Sequence, residues 1–241
     1  MKARAKKSLG QNFLIDKNII NKIVYLGDIS EKDNILEIGP GTGNLTKEII
    51  KKKPKKIFLI EKDTMLSNRL LEMFKNKVKI YNSDILKFDE SKISNNKLII
   101  FGNLPYNIST QILVKLIIND KLFFNIKKFI FMFQKDVAER IIANSNEKQF
   151  GRLSIISNWR FKIKKEFDVS NNCFYPKPKV ESSILTFEPK KFFVKFNNSK
   201  NLEYITKVFF SERRKMIKKP LKKIFFDYIK IATLLNLNLN F

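Results

Sequence analysis

The stretch NILEIGPGTGN, Asn34 to Asn44, joins an apolar run to three glycines within five residues. The apolar part reads as a buried strand, and the LTKEIIKKK that follows has helical spacing. The whole chain holds only seven glycines. Gly39, Gly41 and Gly43 are therefore read as placed for backbone geometry. A glycine turn between strand and helix lets the main chain approach a ligand closely, beside the free N–H groups of a helix start. The spacing G-P-G-T-G fits the dinucleotide fingerprint poorly, and the Lys-Ser/Thr of a phosphate-binding loop is missing. A tight structural turn is the competing reading.

Outward from this turn the alternation continues. KIFLIEKD reads as strand, TMLSNRLLEMF as helix, VKIYNSD and KLIIFGNLPY as strands. STQILVKLIIND is a helix that Ser109 is placed to cap. KKFIFMFQKD is a strand and VAERIIANS a helix. Strands alternating with helices predict βαβ units and a mainly parallel sheet covered on both faces. FKIKKEFDVS and ESSILTFEP then read as consecutive strands of an antiparallel edge. After Pro189 the pattern turns helical through LEYITKVFFSERRKMIKKPLKKIFF. The expected fold is α/β, with residues 1–189 as the main domain and 190–241 as a small basic helical domain.

Composition narrows the chemistry. The 241 residues are 44% hydrophobic, enough for a substantial core. No apolar run approaches the ~18 residues that span a bilayer, and the basic start MKARAKKSLGQNF lacks the apolar core of a secretory signal. A cytoplasmic protein without a membrane partner is the expectation. A single cysteine, Cys173, excludes an internal disulfide and a Cys-rich zinc site. There is no histidine, which removes His-ligated metals and His-activated nucleophiles together. No metal is expected, and any chemistry must proceed without the usual base near neutral pH. The net charge of +25, from 48 Lys and Arg against 23 Asp and Glu, points to a polyanionic partner. The abundance of Lys, Asn, Ile and Phe also fits an A- and T-rich codon usage that swells the lysines. Residues 190–241 hold 13 of the cations against 3 acids.

In open α/β sheets, ligands bind beyond the carboxyl ends of the strands, where the strand order reverses. The two strands after the glycine turn both end in acid. Glu61 lies about 20 residues past the turn, where a carboxylate accepts from a ribose diol. Asp84 ends the next strand, where an oxygen can read an adenine amino group. Two such acids beside a glycine turn read as a nucleoside clamp, against a reading as solvated surface. With no phosphate anchor in sight, the adenosine that fits is S-adenosylmethionine.

The strand ending FGNLPYNIS then acquires a purpose beyond a turn. An exocyclic amine such as adenine N6 is a poor nucleophile, because its lone pair is delocalised into the ring. Two acceptors that hold its N–H groups favour a pyramidal nitrogen aimed at the methyl donor. The Asn103 side-chain oxygen supplies one, and the Leu104 carbonyl, presented by rigid Pro105, the other. Tyr106 can stack on an extruded base. This is catalysis by positioning and electrostatics, and its chemical step is expected to vary little between about pH 6 and 8.

SLGQNFL, EIGPGTGNLT, IEKD, NLPYNIS, MFQKDVAER, FGRLSI, FYPKPKVESS and FSERRK occur in this order. Together they resemble the KsgA family of small-subunit ribosomal RNA adenine-N6,N6-dimethyltransferases, from about Ser8 to Lys215. The resemblance implies a class I methyltransferase, Rossmann-like fold and two methyl transfers to each of two adjacent adenosines during ribosome assembly. It implies that Asn12, Leu14 and Gly39 line the donor site with Glu61, Asp84 and Asn103, with Gln11 and Glu37 as neighbours. It implies Phe174 as a second aromatic face opposite Tyr106; a buried core Phe is the alternative among 23 phenylalanines. Arg213, Arg214 and Lys215 are candidate phosphate contacts, with a basic arm of Lys2, Arg4, Lys6 and Lys7 before the donor motif.

Two residues depart from the family pattern. Met216 stands where Thr is usual, and Pro220 falls where a small helix former is usual and is expected to kink or end the helix. The expected partner is small-subunit ribosomal RNA within a partly assembled subunit, met by a monomer. The rivals are an Erm-type methyltransferase of large-subunit RNA, a noncatalytic assembly or transcription factor on the same fold, and a DNA adenine methyltransferase.

Overall fold

The chain begins with a short strand β1 (Phe13–Leu14) and helix α1 (Lys17–Leu26) in a computed structural model that describes residues 5–90, 93, 97–211 and 216–239. Alternation follows: β2 (Asn34–Ile38), α2 (Asn44–Lys51), β3 (Lys56–Glu61), α3 (Thr64–Phe74), β4 (Lys79–Asn82) and β5 (Leu98–Asn103). Next come α4 (Ser109–Ile118), α5 (Asp120–Phe123), β6 (Ile126–Gln134), α6 (Lys135–Ile142) and α7 (Arg152–Arg160). The edge is built by β7 (Phe161–Val169) and β9 (Ser182–Pro189), while the short β8 (Phe174–Tyr175) between them pairs antiparallel with β1 in a separate two-stranded sheet. Helices α8 (Ser199–Ser211), α9 (Lys218–Ile224) and α10 (Tyr228–Leu234) complete the described chain.

The main sheet runs β4-β3-β2-β5-β6-β9-β7. The strands from β4 to β6 are parallel, whereas β9 is antiparallel to both β6 and β7. The order reverses between β2 and β5. This is the switch point where the carboxyl ends of two strands part around a crevice, and the glycine turn and NLPY both leave from it.

Strands buried on both faces read as near-continuous apolar runs. In β2, Leu36 and Ile38 enter one core with Phe58, Ile100 and Phe129, while Ile35 enters the other with Ile57, Leu59, Ile99 and Phe101. Each such side chain stabilises the fold by about 1.5–3 kcal/mol, so register in the centre of the sheet is strongly fixed. Asp16 and Asp63 cap α1 and α3 by accepting from the Ile19 and Met65 N–H groups at 3.0 Å each.

Two local expectations change. Ser109 is the first residue of α4, preceded by Ile108 at the cap position without a side-chain cap; its hydroxyl instead donates to the Tyr106 carbonyl at 3.3 Å. Pro220 does not end a helix: it sits buried in the first turn of α9, where a missing N–H leaves no bond unmade. The break comes earlier, since Met216 and Ile217 are not helical.

Beyond Pro189 the chain stays tied to the sheet layer. The Arg160 guanidinium, almost wholly buried, lies 3.9 Å from the Trp159 ring centroid and donates to the Ile117 carbonyl and Ser199 hydroxyl, both at 3.0 Å, and to Asp120. Arg152 pairs with Glu203 at 2.7 Å. The proposed boundary between 189 and 190 therefore falls at a strand end, while α8 packs on α7. No described helix is long and apolar enough to cross a membrane.

Candidate active site

A cavity opens at the switch point, beyond the carboxyl ends of β2, β3 and β5. Gly39 has φ of +67°, and the space a Cβ would take there meets only the Asn103 carbonyl, at 3.9 Å. Its absence of a side chain leaves the cavity open. Gly41 has φ of +58° and a different constraint, because a Cβ there would stand 2.9 Å from the Phe13 ring. The turn is thus pressed between the cavity and β1.

Glu61 is held from two sides. Its carboxylate accepts from the Gly41 N–H at 3.0 Å and the Asp63 N–H at 2.9 Å. Burial pushes its pKa up, with the backbone hydrogen bonds acting against that. Both oxygens keep lone pairs for a further donor. Asp84, at the mouth, is different. Lys62 donates to its Oδ2 at 2.9 Å and the Leu86 N–H to its Oδ1 at 2.9 Å. The Lys62 hydrogen bond, ahead of any burial effect, holds this carboxyl below its usual range.

Glu37 lies fully inside, one residue before the end of β2, and accepts from the Thr46 hydroxyl at 2.7 Å. Burial raises its pKa to about 8, helped by the Glu61 charge and opposed by Thr46. It lines the same cavity, as the resemblance implies for a neighbour of the donor site.

Asn103 ends β5. Its Nδ2 donates to the Asn12 carbonyl at 2.8 Å, which assigns Oδ1 as the acceptor it can offer. Leu104 is buried with its side chain in the core, and Pro105 follows at the cavity wall. The Tyr106 hydroxyl is 2.6 Å from the Ser182 hydroxyl at the start of β9. Burial lifts the phenol pKa, only partly countered by Ser182, so the ring stays neutral. Asn12, Leu14 and Gln11 line the cavity from above.

Phe174 pairs with Leu14 across the β1–β8 ladder and is 3% exposed, in the core cluster that includes Val24 and Ile184. Its exposed neighbour in that ladder is Tyr175. Arg213, Arg214 and Lys215, with Lys2 and Arg4, lie outside the described residues.

Several contributors were not legible beforehand. Asn44 donates to the Leu14 carbonyl at 2.8 Å, pinning the N-terminal segment to α2. Lys115, on the helix after NLPY, donates to the Ile85 and Phe88 carbonyls at 2.7 and 2.6 Å and pairs with Glu90 at 2.5 Å. It thereby fixes the loop that follows Asp84. Asp63 receives Lys6 and Gln11, a contact across more than fifty residues that spacing does not reveal. Among the described residues, no group of acids and cysteine is arranged to hold a metal ion.

A sequence profile described as ribosomal RNA adenine dimethylase matches residues 2–235. The chain is 52% identical over 240 residues to a protein of Pelagibacter ubique named ribosomal RNA small subunit methyltransferase A, covering 100% of this chain and 91% of that one. A protein of the same name from Francisella tularensis subsp. novicida is 42% identical over 228 residues, covering 92% and 86%. Among solved structures, a dimethyladenosine transferase from Plasmodium falciparum superposes with a TM-score of 0.71 at 28% identity, over 95% of this chain and 84% of that one. The 23S rRNA methyltransferase ErmE gives 0.69 at 20% identity, over 95% and 92%; that likeness is one of fold.

Proposed function

Because the chain belongs to the ribosomal RNA adenine dimethylase family, a family of methyltransferases with the class I fold, we propose that it transfers methyl groups from S-adenosylmethionine to N6 of two adjacent adenosines near the 3′ end of small-subunit ribosomal RNA. The product is N6,N6-dimethyladenosine. The observation that carries this reading is the Asn103 amide, locked by Asn12 at the end of β5, in one cavity with Glu61 and Asp84. The small-subunit assignment is favoured over the large-subunit one by the names of the relatives that match at 52% and 42% identity.

The wall chemistry fits this donor. Carboxylates end two successive strands, Gly39 leaves room beside them, and among the described residues lining the cavity the one cation is Lys62, already paired with Asp84. A phosphate would find no basic cradle there, whereas an uncharged ribose and adenine find acceptors. Glu61 holds the ribose diol and Asp84 the adenine amino group, while Asn12 and Leu14 cover the donor. When bound, S-adenosylmethionine supplies an electrophilic methyl group on a sulfonium.

On the target side, Asn103 Oδ1 and the Leu104 carbonyl accept the two N6–H bonds and turn the nitrogen lone pair towards the donor. Pro105 keeps that carbonyl fixed, and Tyr106 stacks on the extruded base. No side-chain base takes part, so the proton leaves after transfer from a nitrogen already made acidic by alkylation. The same reading carries a cytoplasmic monomer acting on a partly assembled subunit.

The test is to incubate the protein and S-adenosylmethionine with small subunits from cells lacking the modification, then digest the RNA and weigh its nucleosides. Two dimethylated adenosines are expected. A single modified adenosine in large-subunit RNA would support the Erm-type alternative instead.

A further inference from the structure

The residues over the cavity, Ser8 to Leu14, come from a segment preceding the first helix. Its far end is well secured. Phe13 and Leu14 pair with Tyr175 and Phe174, the Ile15 N–H donates to the Cys173 carbonyl at 2.9 Å, and Asn44 holds the Leu14 carbonyl. The near end hangs on one carboxylate. Asp63 Oδ2 accepts from Lys6 Nζ at 2.9 Å and from Gln11 Nε2 at 3.3 Å, and the Lys6 N–H closes the ring onto Gln11 Oε1 at 2.7 Å. Asp63 is itself buried, 4% exposed, with Oδ1 bound to the Met65 N–H that starts α3.

We propose that the Lys6–Gln11–Asp63 ring is a latch, with Asp63 as a positioning residue that holds the N-terminal segment closed over the methyl donor. This rests on the reading of the cavity as the donor site. Asp63 touches neither substrate by this account. It acts through two residues that do: its N–H fixes Glu61 Oε1, and its carboxylate fixes Gln11, next in the chain to the Asn12 whose carbonyl orients Asn103. One buried carboxylate thus couples the ribose acceptor, the roof and the catalytic amide. Because Lys6 is half exposed, the latch is weakened by salt.

Lys6→Met opens the ring without touching a residue that lines the cavity, and Asp63→Asn keeps the helix cap, since Asn caps as well as Asp. Release of S-adenosylhomocysteine from each full-length variant is followed by stopped flow, and amide exchange of residues 8–14 is measured without ligand. Both variants should release the ligand roughly five- to tenfold faster and exchange faster in the roof relative to the β2 and β5 core, while Lys6→Met also lowers the melting temperature by leaving the buried Asp63 carboxylate without its cation. Lys6→Arg should restore both readouts, and high salt should bring roof exchange in the wild type towards that of Lys6→Met. Unchanged release and exchange in Lys6→Met and Asp63→Asn would overturn the latch. Glu61→Ala separates the two levels of the argument. If it weakens binding while the latch variants do not, only the latch fails; if the wild type itself binds no S-adenosylhomocysteine, the donor-site reading fails and takes the latch with it.

Discussion

Asn103 carries the sharpest separation of roles. Its oxygen is assigned to the transition state and its nitrogen to the Asn12 carbonyl. Asn103→Ala should therefore lower turnover at least about 100-fold while donor affinity changes only a few-fold. Single-turnover rates with calorimetric titration of the donor decide this, and a normal rate would remove Asn103 from the mechanism. Glu37 makes a different prediction. Its folded pKa, about 8 through burial, lies above its unfolded value, so the native state binds the extra proton between those two pH values. Stability contributed by the protonated form is present below the unfolded pKa and is lost as pH rises towards 8. Glu37→Gln keeps an acceptor for Thr46 and removes the charge. It should raise stability at pH 8.5 by on the order of a few kcal/mol, with the gain fading towards pH 5. Urea midpoints at pH 5, 7 and 8.5 would show this, and a pH-independent difference would contradict it. Asn103, Glu61 and Asp84 could be read from sequence because strand ends are marked by local pattern. The Glu37 environment could not, since a strand glutamate looks the same whether its face meets solvent or Thr46.

Lys115 shows how one helix positions a neighbouring loop. Its ammonium donates to two carbonyls and pairs with the Glu90 carboxylate. Lys115→Met would leave Glu90, 4% exposed, as an uncompensated buried charge at a cost of about 3–5 kcal/mol. The loop after Asp84 would lose its anchor, so donor affinity should fall as well. Adding Glu90→Gln should return much of the stability but not the affinity. Denaturation and titration of both variants test that split, and equal recovery of both would make Lys115 a purely structural residue. The elements themselves were largely legible, because β2, β3, β5 and β6 are apolar runs bounded by turns and their helices have regular spacing. Ser109 and Pro220 were not. Each lies one or two residues from where a cap or break would act, and such offsets depend on backbone angles that residue type leaves open.

For the whole molecule, the charge excess of +25 is the feature that speaks to the partner. Arg213, Arg214 and Lys215 together should supply phosphate contacts, so neutralising all three should weaken subunit binding and lower the slope of log affinity against log salt by about 2. Donor affinity should stay as it is. Filter binding across a salt series, with methylation of subunits, free RNA and DNA compared in parallel, would check it; an unchanged slope clears the triplet of phosphate contact. The Arg160 anchor that ties Ser199 to the sheet layer was not legible in composition, because its ligands lie on Ile117, Asp120 and Ser199. The roof over the cavity has one more implication, for the order in which the protein is made. Residues 12 to 15 come off the ribosome early, yet their partners are Asn103, Cys173, Phe174 and Tyr175. A nascent chain cannot close this cavity until residues 12 to 15 have met a strand made much later in the chain. Until then the apolar Phe13 and Leu14 lack the β8 partners that complete their burial, which leaves this pair in need of shelter during synthesis.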